Sequence, residues 1–338
     1  MLSLEAQPQA TRAEEAAPPV IDIRSLSVEF PTLSGRSSLA IRALDLSIAR
    51  GEIFGLVGES GAGKTTLARS LLGLPPAPGR AVAGEIRFEG QDLLRIGERA
   101  LRCMRGRDLS MIVPNPRSEL NPILPVGEQI MTVARVHLDV PRREARRLAL
   151  DMLRAVQIPD PERRMGAFPH ELSGGMAQRI VIAIALICSP KFIVSDDATS
   201  GLDVTVQAQI LELLQRLAAD RGSAMLFITR DIGITAHLCD RIAVMLNGEI
   251  MELAAREDFF FRPRNPYTIT LMAAFAHNEG LRRLWTRSAP PLAPVAAARA
   301  CPFLARCPLA QPRCAAERPM LRELAPGHFS RCHFPVAR

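Results

Sequence analysis

The chain has 338 residues, of which 48% are hydrophobic, and its formal net charge is +7. This length allows one large domain and a smaller one, and the apolar content supports a buried core and argues against disorder. The longest clear apolar run, Ile180 to Cys188, has nine residues, which suits a buried helix and is too short to span a bilayer. The N-terminus lacks the basic segment and apolar stretch of a signal peptide, so none is predicted.

The positive charge is concentrated near the C-terminus, where residues 276–338 hold ten arginines against three glutamates. A basic segment can bind nucleic acid or anionic lipid. However, the whole chain has forty arginines and only two lysines, Lys64 and Lys191. We attribute this bias to the GC-rich codon usage of the gene, so the arginines alone do not indicate a nucleic-acid partner. A retained lysine such as Lys64, in contrast, suggests a specific role.

In chain order, residues 1–18 are rich in Ala, Glu and Pro and are predicted to form a disordered tail. Alternating apolar and polar residues from Val20 to Ile48 predict two or three antiparallel strands. Ile53–Val57 is predicted as a short buried strand, followed by a glycine-rich loop and a helix from Lys64 to about Leu72. Residues 113–180 combine Pro-rich turns with Arg-rich helical stretches, which predicts a helical insertion in an α/β core.

Two more buried strands, Phe192–Asp196 and Met225–Thr229, are predicted on either side of the amphipathic helix Val206–Ala219. After residue 255 the pattern loosens and Pro, Arg and Cys dominate. The sequence therefore predicts a main α/β domain over residues 19–255 and a small C-terminal domain over residues 256–338.

A phosphate-binding loop follows the strand that ends at Val57. Its residues are Gly58, Glu59, Ser60, Gly61, Ala62, Gly63, Lys64, Thr65 and Thr66. Glycines let backbone N–H groups approach phosphate oxygens, and the positive end of the next helix points to the same place. Lys64 is expected to reach the β- and γ-phosphates, and Thr65 to ligate Mg²⁺. With Asp196 as a second magnesium ligand, the sequence predicts ATP and Mg²⁺ as cofactors.

A second motif, Leu172-Ser173-Gly174-Gly175-Met176, precedes a predicted helix, and Ser173 at its N-terminus is an anion-binding arrangement. Together with the phosphate loop, this motif and Ser200–Asp203 resemble the signature and D-loop of ABC transporter nucleotide-binding subunits over about residues 20–338. The resemblance implies a P-loop NTPase fold with an antiparallel β subdomain and a helical signature subdomain. It also implies head-to-tail pairing, in which Ser173, Gly174 and Gly175 contact ATP held by the partner's loop.

Arg264–Thr268, Arg117–Pro122 and the C-terminal cysteines resemble the oligopeptide, dipeptide and nickel importer subfamily. The resemblance implies a bacterial importer subunit on the cytoplasmic face of the inner membrane, with peptide as the commonest solute. Its implied partners are a second ABC ATPase subunit, two transmembrane permeases and an extracytoplasmic solute-binding protein, and no nucleic acid. The alternative is a soluble, non-transport ABC ATPase acting on nucleic acid or ribosomes.

Three positions depart from the family pattern on the hydrolytic side of the site. Pro114 stands where a glutamine is expected, Asp197 replaces the glutamate that polarises water, and Arg230 replaces a histidine. Proline offers no side-chain amide, aspartate is one methylene shorter, and arginine cannot be a neutral acceptor. We expect a site that binds ATP and hydrolyses it poorly, in a heterodimer whose other site is active. Tolerated drift in an active enzyme is the other interpretation.

The adenine base needs an aromatic platform upstream of the phosphate loop. Phe30 is the nearest candidate by position. A phenylalanine in the core of a strand fits this pattern nearly as well, so both interpretations of Phe30 stay open.

Four of the seven cysteines lie close together near the C-terminus, as Cys301-x5-Cys307-x6-Cys314-x17-Cys332. No two have the C-x2-C spacing of a zinc ribbon. Four thiolates suit a [4Fe-4S] cluster, which members of the resembled subfamily can carry, and zinc and unliganded thiols are the alternatives. The remaining three, Cys103, Cys188 and Cys239, are isolated and are expected to be ordinary buried residues.

Overall fold

The structure is a computed structural model that describes residues 18–31, 37–275 and 299–337. The strands are β1 (Ile21–Pro31), β2 (Ser37–Ile48), β3 (Ile53–Val57), β4 (Arg80–Phe88), β5 (Gln91–Asp92), β6 (Leu109–Ile112), β7 (Phe192–Asp196), β8 (Ala224–Thr229), β9 (Arg241–Leu246), β10 (Glu249–Ala255), β11 (Arg322–Ala325) and β12 (His328–Ser330). Residues 1–17 of the predicted disordered tail and part of the basic C-terminal segment lie outside the described residues.

Besides two 3-10 helices, Pro169–Glu171 and Leu304–Arg306, twelve α-helices accompany these strands in the described part of the chain. They are α1 (Lys64–Ser70), α2 (Glu98–Met104), α3 (Pro116–Glu119), α4 (Val126–Leu138), α5 (Arg142–Ala155), α6 (Pro161–Arg164), α7 (Gly174–Leu186), α8 (Val204–Arg221), α9 (Ile232–Leu238), α10 (Arg256–Phe261), α11 (Pro266–Phe275) and α12 (Pro312–Ala316).

The N-terminal strands form a separate antiparallel sheet in the order β2-β1-β4-β5. Buried residues alternate with more exposed ones in two runs of β1, Ile21 and Ile23 and then Leu26 and Val28, as a strand with one face on the core requires, and the pairing with β2 shifts register between the two runs. These side chains share a hydrophobic cluster with Phe54 and Leu56 of β3. The predicted antiparallel subdomain is confirmed.

The central sheet has eight strands in the order β11-β12-β10-β9-β3-β8-β7-β6. The strands from β9 to β6 run parallel. Strands β3, β7 and β8 are buried at every residue, because a parallel sheet is covered on both faces. Their carboxyl ends meet at one edge, which is where ligands bind in sheets of this kind.

The predicted helical insertion over residues 113–180 corresponds to α3 to α6 and the start of α7. Helix α8 is longer than the predicted Val206–Ala219 because both ends are capped. The Asp203 carboxylate accepts a hydrogen bond from the Val206 N–H at 3.0 Å. Gly222 ends the helix with a φ of 62°, a conformation that glycine adopts without strain.

The C-terminal segment is tied to the core by a buried polar network around Asn265. The Asn265 side-chain amide donates to the Met251 carbonyl at 2.8 Å and to the Ser330 hydroxyl at 3.2 Å. Strand β12 pairs with β10 and β11, so these strands extend the central sheet. The separate Cys-containing domain is therefore not confirmed, and the boundary at residue 255 stays a prediction.

Across the three described ranges, no helix combines the length and the apolarity needed to cross a membrane.

Candidate nucleotide-binding site

The phosphate loop connects the buried strand β3 to helix α1, and its lysine bonds back to the start of the loop. The Lys64 Nζ donates to the carbonyls of Gly58 at 2.7 Å and Glu59 at 2.9 Å. Gly63 has a φ of 104°, and a Cβ there would lie 2.6 Å from the Ala40 carbonyl oxygen. Only glycine fits this position, because a side chain would meet both backbone strain and a steric clash.

One cavity opens at the carboxyl ends of the parallel strands, beside this loop. It is lined by Ala40, Ser60, Gly61, Ala62, Gly63, Lys64, Thr65, Thr66, Pro114, Asp196, Asp197, Ile228, Thr229 and Arg230. The structure thus brings most of the predicted loop together with Asp196 and the three non-consensus residues. Ala40, Ile228 and Thr229 were not predicted, since a small or apolar residue in a strand carries no local signal of a site.

Asp196 ends β7 and is 4% exposed. Burial raises the pKa of Asp196, and the Thr65 hydroxyl beside it acts in the opposite direction. Burial likewise lowers the pKa of Lys64, opposed chiefly by the Asp196 carboxylate. Carboxylate and hydroxyl oxygens are the ligands that Mg²⁺ prefers, so Thr65 and Asp196 fit this ion.

The hydrolytic side of the cavity contains an ion pair between two non-consensus residues. An Arg230 guanidinium nitrogen lies 3.2 Å from an Asp197 carboxylate oxygen. Asp197 has a φ of 49°, and its N–H donates to the Ile228 carbonyl at 2.9 Å. The Asp197 carboxylate, which lines this cavity, is therefore held by a permanent cation.

The signature motif lies at the N-terminus of α7, outside the cavity of its own chain. Ser173 is exposed, and its hydroxyl accepts a hydrogen bond from the Met176 N–H at 3.3 Å. A Cβ on Gly175 would lie 2.8 Å from Val206, so α7 and α8 pack closely here. An exposed helix N-terminus of this kind can receive an anion from outside the chain.

Phe30 lies near the end of β1 and is partly buried. Its ring packs over Gly79, where an added Cβ would lie 2.6 Å from the Phe30 Cζ. Phe30 does not line the cavity, so its role as a base platform stays a prediction.

The four C-terminal cysteines line one cavity, together with Phe303. Burial raises the pKa of Cys307 to about 12 and that of Cys332 to about 11, and it also raises the pKa of Cys301. In the described ranges, no three His, Cys, Asp or Glu residues are arranged to hold a metal ion. Four-thiolate ligation by Cys301, Cys307, Cys314 and Cys332 is therefore not confirmed.

The isolated cysteines differ from one another in exposure. Cys239 is buried beneath β3, where its Sγ would lie 2.8 Å from a Cβ on Gly55. Cys188 is partly buried. The expectation of a buried Cys103 was wrong, because this residue is on the solvent face of α2.

Residues 41–200 match the family model described as ABC transporter, and residues 251–314 match the C-terminal region of oligopeptide/dipeptide transporters. The chain is 41% identical to the probable peptide ABC transporter ATP-binding protein y4tR of Sinorhizobium fredii, with 93% of this chain and 94% of the relative covered. It is 39% identical to the oligopeptide transport ATP-binding protein OppD of Salmonella typhimurium, with 97% of each chain covered. The dipeptide transport ATP-binding protein DppD of Escherichia coli is 41% identical, with 94% of this chain and 97% of the relative covered.

Among solved structures, a dimeric ABC cassette, MJ0796, bound to ADP and Pi in a post-hydrolysis state, has a TM-score of 0.63 and 22% identity. The match covers 70% of this chain and 98% of that chain, and it shows the fold. These relatives are transport proteins and match almost the whole chain. They therefore do not favour the alternative function, a soluble ABC ATPase acting on nucleic acid or ribosomes. The chain belongs to the ABC transporter ATP-binding proteins with an oligopeptide/dipeptide transporter C-terminal region, and it is an ABC ATPase whose ATP hydrolysis is coupled to transport.

Proposed function

We propose that this chain is the ATP-binding subunit of a bacterial importer for dipeptides or oligopeptides. The observation that carries the proposal is about 40% identity, over nearly the full length, to proteins named for peptide transport. The chain would work on the cytoplasmic face of the inner membrane with two permeases, a solute-binding protein and a second ATPase subunit.

The geometry supports Mg-ATP binding in the cavity beside the phosphate loop. Backbone N–H groups of the loop and the Lys64 ammonium would bind the phosphates. Thr65 and Asp196 would hold Mg²⁺, which neutralises phosphate charge when bound. Lys64 lines this cavity with its ammonium bonded to two loop carbonyls, so its charge lies beside the place where the phosphates would bind.

The chain's own site would hydrolyse ATP poorly. A general base must take a proton from the attacking water, but the Asp197 carboxylate is short and is paired with Arg230 at 3.2 Å. Pro114 lines the same cavity and brings no side-chain amide to it. The same chain offers an exposed signature serine, Ser173, which would complete the site of a second, different ATPase subunit. We therefore infer a heterodimer with one active site.

The four C-terminal thiols would hold a [4Fe-4S] cluster. All four line one cavity, and Arg331 beside them can offset the charge of bound thiolates. A single zinc ion needs its sulfur ligands at about 2.3 Å, whereas a four-iron cluster is larger and its thiolates stand farther apart. Zinc and unliganded thiols are the alternatives, and metal analysis of the purified protein distinguishes them.

Anaerobic purification tests the cluster. The wild type should contain iron and sulfide at about four of each per chain, and Cys307→Ser should lose most of both. Cys239→Ser is the matched control, since that thiol lies under the central sheet and should leave the iron content unchanged. Stoichiometric zinc without iron in the wild type would contradict the cluster.

Uptake of a labelled dipeptide by a strain lacking this gene tests the transport function. Wild-type protein should restore uptake and Lys64→Ala should not. Lys191→Ala is the matched control, because this only other lysine forms a surface ion pair with Glu89 at 2.5 Å and should restore uptake fully. Wild-type rescue of nickel uptake but not of peptide uptake would overturn the proposed solute.

A further inference from the structure

The C-terminal segment contacts the phosphate loop directly through one arginine. The Arg306 guanidinium donates to both carboxylate oxygens of Glu59, at 2.7 Å and 3.0 Å, across 247 residues of sequence. This bidentate geometry gives an arginine–carboxylate pair directional specificity as well as energy. The loop that would receive the phosphates of ATP is therefore attached to the last part of the described chain.

Arg306 also lies against two aromatic rings. Its guanidinium carbon lies 5.4 Å from the centre of the Phe303 ring and 5.9 Å from that of Tyr267. The two rings are themselves in contact, with centroids 5.1 Å apart, and Tyr267 is fully buried. The next residue, Cys307, lines the four-cysteine cavity. Because its neighbours fix the guanidinium, little side-chain entropy is lost when it binds Glu59.

Glu59 is an unusual neighbour for a site that binds a polyanion. Its backbone carbonyl accepts a hydrogen bond from the Lys64 Nζ at 2.9 Å, and its carboxylate is among the charges that act on this lysine. An unpaired carboxylate here would repel the phosphates and compete for the Lys64 ammonium. The guanidinium of Arg306 removes both effects by neutralising Glu59 and holding it away.

We propose that Arg306 is a positioning residue of the nucleotide site, which neutralises Glu59 and holds its carboxylate away from the place where the phosphates of ATP would bind. Nucleotide affinity then depends on the folded C-terminal segment, because Phe303 and Cys307 fix the arginine. This inference rests on the proposed ATP site at the phosphate loop, but different variants test the two proposals. Loss of ATP binding in Lys64→Ala tests the ATP site, whereas variants of Arg306 and Glu59 test the positioning role of Arg306.

The experiment is a double-mutant cycle on the affinity of the full chain for a fluorescent ATP analogue. Since a half-exposed ion pair is involved, Arg306→Ala should weaken binding by about two- to five-fold, and the loss should shrink as salt is added. Glu59→Gln provides the second background of the cycle, and its own affinity is the reference for the double variant. The double variant should recover the affinity lost in Arg306→Ala, because no unpaired carboxylate remains.

Arg313→Ala is the matched control. Like Arg306, Arg313 precedes a cysteine of the same cavity and pairs with a glutamate, but that glutamate is Glu317, at 2.9 Å, and not a residue of the phosphate loop. The affinity of Arg313→Ala for the analogue should equal that of the wild type. If Arg306→Ala lowers the yield of folded protein, Arg306→Gln replaces it in the cycle. Unchanged affinity in both Arg306 variants, or a loss that Glu59→Gln does not reverse, would overturn the proposal.

Discussion

The Arg230–Asp197 ion pair leads to a gain-of-function prediction. Replacing both residues with the family's consensus, Asp197→Glu with Arg230→His, should restore hydrolysis at this chain's own site. The first change extends the carboxylate by one methylene, and the second removes the permanent cation that holds it at 3.2 Å. The imidazole can also accept a hydrogen bond, which the guanidinium cannot.

The size of the gain follows from the length of the side chain. One added methylene moves the carboxylate by about 1.5 Å, and a misplacement of about 1 Å can cost about 10²-fold in rate. We therefore expect roughly a 10²-fold gain, at the lower end of the roughly 10²–10⁴-fold contribution of a general base. Asp197→Glu alone should gain less, since Arg230 would still bind the longer carboxylate.

The assay is single-turnover phosphate release by the assembled complex, with the general base of the partner subunit removed so that only this chain's site can turn over. Asp220→Glu is the control, because it makes the same chemical change at an exposed position of α8. Fast release by the unmodified site, with no further gain in the double variant, would refute the reasoning.

Two further changes test the loop and the C-terminal attachment. Lys64→Ala removes a charge and two hydrogen bonds from the loop, so ATP affinity measured by calorimetry should fall at least about tenfold; an unchanged affinity would contradict the site. Asn265→Ala leaves the buried Met251 carbonyl and Ser330 hydroxyl without this partner, so the free energy of unfolding in urea should fall by about 2–3 kcal/mol. A loss no larger than that of the exposed Gln311→Ala would show that the network contributes little.

The parts of the site that the sequence predicts are those with local signals. The phosphate loop combines a glycine pattern with a strand before it and a helix after it, and β3, α1 and β7 lie where the sequence places them. The grouping of Asp196 and Asp197 with the loop also follows, because parallel strands bring their carboxyl ends to one edge.

Other features depend on contacts between distant residues and have no local signal. Strands β11 and β12 join the central sheet through pairing with β10, while the sequence suggested a separate domain. The Glu59–Arg306 pair spans 247 residues, and a glutamate at a variable loop position does not indicate its partner. Ala40 lines the cavity only because the antiparallel sheet packs beside the loop.

The most direct test of the account compares Ser173→Arg with Asp197→Asn in the ATPase activity of the assembled complex. Ser173→Arg places bulk and charge at the exposed start of α7, where the signature would meet the partner's nucleotide, so activity should fall by at least roughly 10²-fold, a loss as large as that of a general base. Asp197→Asn removes a carboxylate that is already paired and short, so activity should change little. If Asp197→Asn abolishes activity while Ser173→Arg does not, this chain's own site is the hydrolytic one and the proposed asymmetry is wrong.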